Sequence, residues 1–149
     1  MNELENSLHK GYGFAPYYDS VGVKTWCGGE TEVGYKEKFT MTECNLLYNI
    51  RYGYYSMQTT FFYNDKAKEI VTPEVHASMV DMAYNVGLGK VKTSGMIKNL
   101  NAGNAKAACN VILQYKYAGG KDCSLPGNKT CRGVWDRRVK MNQLCLKGT

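Results

Sequence analysis

The residues whose types and spacing suit chemistry lie near the start of the chain. Eight residues separate Lys10 from Asp19, and five more separate Asp19 from Thr25. A carboxylate accepts hydrogen bonds and a hydroxyl both accepts and donates them, so Asp19 and Thr25 have side chains of the types found in polar binding or catalytic sites. Asp19 in the run Asp-Ser-Val-Gly equally suits a turn, in which its side chain bonds to its own backbone. The spacing alone leaves both interpretations open.

The size and charge of the chain limit the classes of protein to consider. A chain of 149 residues is long enough to bury a core alone, and we expect a single monomeric domain over residues 1–149. The 19 Lys and Arg residues against 13 Asp and Glu give a net charge of +6, which favours polyanionic partners. The basic residues are spread along the chain without a dense basic arm, so we expect no nucleic-acid partner.

Six cysteines are many for a cytosolic chain of this length, and their even number indicates a disulfide framework formed in an oxidising compartment. Of the roughly 15 ways to connect them, the easiest pair is Cys123 with Cys131, which flank a Pro-Gly-Asn turn. The remaining pairs would be Cys27 with Cys44 and Cys109 with Cys145. No cysteine pair has the spacing of a zinc knuckle, so we expect neither a metal nor a cofactor.

The N-terminal stretch lacks the features of an export signal. Residues 1–8 contain neither a basic region nor an apolar core, and the sequence has no long apolar run. Because disulfides imply export, we expect an anchor or signal missing from this chain, or a membrane hole opened at lysis. Residues 1–8 are then a remnant or a replacement of an N-terminal anchor.

Local patterns predict a small β-rich region followed by helices. Glycines and β-branched residues over positions 10–31 indicate short strands and turns. Thr40 and Glu43 form a capping-box pattern that starts a helix running into the tyrosine-rich stretch near Tyr52. The sequence Thr-Pro-Glu at 72–74 starts another, which the glycines Gly87 and Gly89 should end.

Three further helices are predicted in the second half of the chain. They cover residues 93–100, residues 105–117 up to the Gly-Gly pair, and a last segment capped by Asp136 and carrying Cys145. A cluster of tyrosines is expected to pack within the fold rather than to stack on sugars. Its members are Tyr52, Tyr54, Tyr55 and Tyr63.

Several motifs occur in the order typical of one enzyme family. They are FTMTEC at 39–44, AYNVGLG at 83–89, LNAG at 100–103, YAGGK at 117–121 and GVWDRR at 133–138. Together with the frame of Lys10, Asp19 and Thr25, they resemble the phage lysozymes, the endolysins of glycoside hydrolase family 24, over nearly the whole chain. The cysteine-rich branch is the most similar, and many of its members carry a membrane-released N-terminal anchor. The resemblance implies an α+β, lysozyme-like fold with a small β-rich lobe, a larger helical lobe and an active-site cleft between them.

The resemblance also implies a reaction, in which the bond between N-acetylmuramic acid and N-acetylglucosamine of peptidoglycan is hydrolysed for host lysis. Lys10 occupies the position of the family's acid Glu, Asp19 would stabilise positive charge or orient water, and Thr25 would help to hold that water. Two further departures are Glu30 at the usual His position and Met141 at a usual Glu position. Since an ammonium group is a poor acid, we expect strongly impaired hydrolysis, with Glu30 as the substitute acid to consider.

Three other functions remain open on the sequence. A chain with Lys10 suits an inactive pseudoenzyme that binds peptidoglycan without cutting it. A thiol peptidase or amidase would pair a cysteine with His76, although an even number of cysteines favours paired sulfurs. The positive surface alone could also kill bacteria. In each case that involves the wall, the resemblance implies action in the periplasm of the infected bacterium, with a membrane tether before release or passage through a holin.

Overall fold

The computed structural model describes residues 17–18, 22–25, 27 and 40–149. The chain divides into two compact units, residues 1–53 and residues 54–149. Among the described residues, no helix is both long and apolar enough to cross a membrane.

The first unit contains a short antiparallel pair of strands. Strand β1 (Tyr17–Tyr18) pairs with β2 (Lys24–Thr25), and Tyr17 lies opposite Thr25. Two residues beyond β2, Cys27 bonds to Cys44 with a Cα–Cα distance of 4.9 Å. This disulfide ties the β-strand segment to the first turn of the helix that follows.

That helix, α1 (Met41–Thr60), begins as the sequence predicts. The backbone N–H of Thr40 donates to the Glu43 carboxylate at 3.0 Å, and the backbone N–H of Glu43 donates to the Thr40 hydroxyl at 3.1 Å. This reciprocal capping box satisfies two amides that a helix start leaves without partners. The helix runs through the tyrosine-rich stretch near Tyr52, as predicted, and ends at Thr60.

The rest of the second unit is mainly helical. Its helices are α2 (Asp65–Ile70), α3 (Pro73–Val86), α4 (Leu88–Lys92), α5 (Gly95–Asn101), α6 (Ala105–Val111) and α7 (Arg132–Lys147). Short 3-10 turns follow α6 (Ile112–Gln114) and precede α7 (Lys129–Cys131). Between them lies a hairpin of β3 (Tyr117–Ala118) and β4 (Lys121–Asp122).

The predicted start of α3 is confirmed. The prediction that Gly89 helps to end this helix was wrong. The Thr72 hydroxyl accepts a hydrogen bond from the Val75 N–H at 3.3 Å, and Pro73 is the first helical residue. Gly87 ends α3 with a φ of 103°, a conformation that glycine adopts readily. Gly89 instead lies inside α4, which the sequence analysis did not predict.

Two later boundaries also differ from the prediction. The helix expected over residues 105–117 ends at Val111, because the chain tightens into a 3-10 turn and then enters β3. The last helix begins at Arg132, so Asp136 is not its cap. Asp136 instead lies one turn into α7, where its carboxylate pairs with Arg132 at 3.5 Å.

The hydrophobic core of the second unit is built from α3 and the helices around it. Fully buried side chains include Met79 and Met82 of α3, Leu100 of α5 and Ile112 of the 3-10 turn. The Cys109–Cys145 disulfide lies within this core and joins α6 to α7. Tyr63 is buried in the same core, in agreement with the packing role expected for it.

Candidate functional site

Of the four predicted site residues, Thr25 is the one whose position the structure describes. It ends β2, is only 4% exposed, and its hydroxyl donates to the Val23 carbonyl at 2.9 Å. Because the hydroxyl proton is used in this bond, the oxygen retains lone pairs that can accept a hydrogen bond. This bond orients the Thr25 side chain, and the hydroxyl oxygen can then only accept further hydrogen bonds.

The other three predicted site residues, Lys10, Asp19 and Glu30, lie outside the described residues. Their roles stay predictions from the sequence. The structure shows which contacts hold Thr25 in place. Strand pairing with Tyr17 fixes its backbone, and the Cys27–Cys44 disulfide anchors the chain two residues later.

All six cysteines form disulfides, and these are the three pairs expected from the sequence: Cys27 with Cys44, Cys109 with Cys145 and Cys123 with Cys131. No cysteine therefore has a free thiol. The interpretation as a thiol peptidase or amidase is wrong, since such chemistry needs a thiolate.

His76, the histidine considered for that chemistry, contacts two hydroxyl groups instead. Its Nε2 atom lies 2.9 Å from Ser56 Oγ, and its Nδ1 atom lies 2.9 Å from Tyr63 Oη. Burial lowers the pKa of His76 and raises the pKa of Tyr63, so both side chains favour their neutral forms. The trio links α1 to α3 as a neutral hydrogen-bonded group.

Sequence reasoning missed a charged group that joins α3 to α7. The Arg137 guanidinium binds the Asp81 carboxylate, while Arg138 donates from Nε to the Tyr115 carbonyl at 2.9 Å. Burial raises the pKa of Asp81 to about 6, and the charge of Arg138 opposes this rise. Burial also lowers the pKa of Arg137 to about 10, and the charge of Arg138 acts in the same direction.

The two residues lie in or near two of the motifs. Asp81 lies two residues before AYNVGLG, and Arg137 belongs to GVWDRR. Neither motif predicts that Asp81 and Arg137, which are 56 positions apart, are in contact. Within the part of the chain that the structure describes, no group of His, Cys, Asp or Glu residues is arranged to hold a metal ion.

The family model for phage lysozyme matches residues 8–140, nearly the whole chain. The chain belongs to the phage lysozyme family. A SAR-endolysin of Enterobacteria phage P21 is similar to this family member, with 30% identity over 141 residues that cover 93% of this chain and 78% of that protein. Membership of this family of lysozymes supports a glycoside hydrolase kind of activity.

Two solved structures share the fold of this phage lysozyme family member. A variant of P22 lysozyme superimposes with a TM-score of 0.68 at 20% identity, covering 94% of this chain and 91% of that one. The active form of the P1 phage endolysin Lyz gives a TM-score of 0.67 at 20% identity, covering 90% and 76%. The predicted α+β, lysozyme-like fold class is confirmed.

Proposed function

We propose that this chain is an endolysin-type muramidase whose hydrolysis is strongly impaired by Lys10. Its substrate is the bond between N-acetylmuramic acid and N-acetylglucosamine in peptidoglycan. The observation that carries the proposal is the family match over residues 8–140, a range in which Lys10, Asp19 and Thr25 fall. The residue types at these three positions then determine how much of the family's activity remains.

Hydrolysis of a glycosidic bond needs a proton for the leaving oxygen and stabilisation of an oxocarbenium-like centre. A glutamic acid with a raised pKa normally donates that proton. The reference pKa of a lysine ammonium is about 10.4, so Lys10 is a far weaker acid near neutral pH. Loss of general acid catalysis lowers the rate by about 10²- to 10⁴-fold. The positive charge of Lys10 would also repel the developing cation, which adds to the loss.

The remaining site residues keep suitable chemistry. Asp19 supplies a carboxylate that would stabilise positive charge or orient the attacking water. Thr25 is buried, and its hydroxyl already donates to the Val23 carbonyl, so it would receive a hydrogen bond from that water. Glu30 is the carboxylic acid that we propose as a substitute proton donor. An ion pair between Lys10 and Asp19 would neutralise the carboxylate and lower activity further.

The alternative function is a pseudoenzyme that binds peptidoglycan without cutting it. Lys10 favours this alternative, because substrate binding does not need a proton donor. Both functions place the protein at the cell wall, and we propose the periplasm of the infected bacterium as its location. The three disulfides support an oxidising compartment.

The decisive experiment compares Lys10→Glu and Lys10→Gln with the unchanged chain on purified peptidoglycan. Release of reducing sugar ends measures cleavage, and co-sedimentation with the wall measures binding. Lys10→Glu restores a proton donor, whereas Lys10→Gln removes the positive charge without adding an acid. We expect Lys10→Glu to raise cleavage by at least about 10²-fold and Lys10→Gln to raise it much less.

The controls separate the two functions. Adding Asp19→Asn to the Lys10→Glu chain should abolish the gain if Asp19 serves the reaction. Retained binding without any gain in Lys10→Glu would contradict a disabled muramidase and favour the binding protein. Killing of bacteria that survives Asp19→Asn would instead point to the cationic surface alone.

A further inference from the structure

A loop that does not belong to the proposed site combines exposed apolar side chains with positive charge. We call residues 116–132 the disulfide-tied loop. It contains the β3–β4 hairpin, and Cys123 bonds to Cys131 across it. The hairpin turns at Gly119 and Gly120, which have φ angles of 57° and 78°. These positive φ angles suit glycine.

Hydrogen bonds around Asp122 hold the disulfide-tied loop in shape. The Asp122 carboxylate accepts from the Ser124 N–H at 3.0 Å and pairs with Lys116 Nζ at 3.2 Å. Its backbone carbonyl accepts from Asn128 Nδ2 at 2.7 Å and from the Leu125 N–H at 3.3 Å. Because these contacts and the disulfide order the loop before any partner arrives, binding would lose little conformational entropy.

This ordered loop exposes apolar side chains. Leu125 is 52% exposed and Tyr117 is 62% exposed, while Pro126 is also exposed. Tyr117 pairs with Asp122 across the hairpin, and Leu125 bonds to the carbonyl of the same residue. The backbones of both apolar residues are therefore tied to the same residue, Asp122.

The same loop carries positive charge. Lys121, Lys129 and Arg132 are exposed, and Lys116 is 33% exposed. The one acidic residue of the loop, Asp122, is paired with Lys116. The charge extends over the whole helical unit, since residues 54–149 carry 14 Lys and Arg against six Asp and Glu, a net charge of +8. Residues 1–53 carry five against seven, a net charge of −2.

We propose that the disulfide-tied loop docks on the surface of an anionic lipid bilayer. Leu125, Pro126 and Tyr117 would enter the boundary between headgroups and acyl chains, while Lys121 and Lys129 contact lipid phosphates. Exposed apolar side chains and cations in the same loop match the chemistry of this boundary. A water-soluble polyanion would attract the lysines but would offer no apolar region to Leu125, so the side chains favour lipid.

Binding of the full chain to vesicles of phosphatidylglycerol and phosphatidylcholine in equal parts tests this docking. Lys121→Gln with Lys129→Gln removes two charges from the loop, and Lys90→Gln with Lys92→Gln removes two exposed charges elsewhere on the same unit. Each lipid-contacting charge raises the affinity about fivefold. We expect the loop pair to weaken binding by about 25-fold and the control pair by much less.

The apolar contribution has its own pair of variants. Leu125→Ser should weaken vesicle binding by about fivefold, since roughly half of this side chain is free to become buried. Phe61→Ser changes an apolar side chain that is 74% exposed but lies outside the loop, and it should leave binding unchanged. Circular dichroism and thermal melting of each variant verify that the fold is intact.

The outcomes are distinguishable. Weakened binding in the loop variants alone, together with loss of binding to pure phosphatidylcholine vesicles, supports the docking surface. Equal losses in both charge pairs would overturn it in favour of attraction by overall charge. Soluble polyphosphate that binds as tightly, without any effect of Leu125→Ser, would also overturn it and indicate a phosphate polymer as the partner. Wall cleavage by the Lys10→Glu chain is measured separately, so failure here does not affect the proposed enzyme function.

Discussion

Arg137 on α7 binds both carboxylate oxygens of Asp81 on α3, with Nη2 2.5 Å from Oδ1 and Nε 3.4 Å from Oδ2. The two side chains are 27% and 14% exposed, respectively. Such a pair is far more costly to break than a surface pair, because removal of one partner leaves a charge in a largely desolvated position. Since α3 and α7 both contribute to the buried core, this pair also fixes two of its main elements.

Asp81→Ala should therefore lower the free energy of unfolding by about 3 kcal/mol. The combined change Asp81→Ala with Arg137→Met should cost less than the sum of the two single changes, because the interaction between the two side chains is lost only once. Urea denaturation of all four chains measures this coupling. The control is Asp136→Ala, which breaks the exposed pair with Arg132 and should change stability by no more than about 0.5 kcal/mol. Additive effects at Asp81 and Arg137 would mean that the pair contributes nothing as a pair.

The three disulfides should not contribute equally to stability. Cys109 and Cys145 are 36 residues apart in sequence, whereas Cys123 and Cys131 are eight apart. Because loop closure restricts the unfolded chain more for longer loops, replacing the first pair by alanines should cost about 4 kcal/mol and the second about 2.5 kcal/mol. Thermal and urea unfolding of the two double variants give the ranking. The reverse ranking would show that local packing, rather than chain entropy, dominates.

Much of the fold could be predicted from local sequence patterns. The errors occurred at helix boundaries that long-range contacts determine. The capping box of Thr40 and Glu43 and the cap at Thr72 were predictable, since each depends on a few neighbouring residues. The end of α6 was not, because helical apolar spacing continues past Val111 while the β3–β4 pairing and the Cys123–Cys131 disulfide shape the chain that follows. The start of α7 was misassigned to Asp136 for the same reason.

The candidate site was predictable to a different extent. Its residue types and spacing came from the sequence together with the family resemblance, and the structure adds the burial and bonding of Thr25. The contact of Asp81 with Arg137 and the contacts of His76 could not be read from the sequence, because periodicity carries no information on which helix faces meet.

His76 gives a prediction about pH. Burial holds its pKa in the folded protein below the ordinary value of 6.5. Between the folded and unfolded pKa values, the unfolded chain binds more protons, so stability falls as the pH drops through 6.5 and levels off below the folded pKa. His76→Gln should remove this slope, since glutamine does not titrate. Urea unfolding across this pH range measures it, and His9→Gln serves as the control for the second histidine. An unchanged slope in His76→Gln would assign the effect to other groups.

Variants of Thr25 test a second residue of the proposed site. They are made in the Lys10→Glu chain so that cleavage is measurable. Thr25→Val keeps the shape of the side chain but removes the hydroxyl, whereas Thr25→Ser keeps the hydroxyl. If the oxygen accepts a hydrogen bond from the attacking water, Thr25→Val should lower kcat by about tenfold or more with little change in KM, and Thr25→Ser should retain most of the activity.

A purely structural role of the Thr25 hydroxyl would give a different pattern, because its bond to the Val23 carbonyl also stabilises the strand end. Thr59 provides the matched control, since it is fully buried and its hydroxyl donates to the Tyr55 carbonyl at 2.7 Å. Thr59→Val should lower the melting temperature without lowering kcat. If Thr25→Val behaves in the same way, Thr25 supports the strand and takes no part in the reaction. A loss of kcat at Thr25 alone places its hydroxyl beside the reacting water.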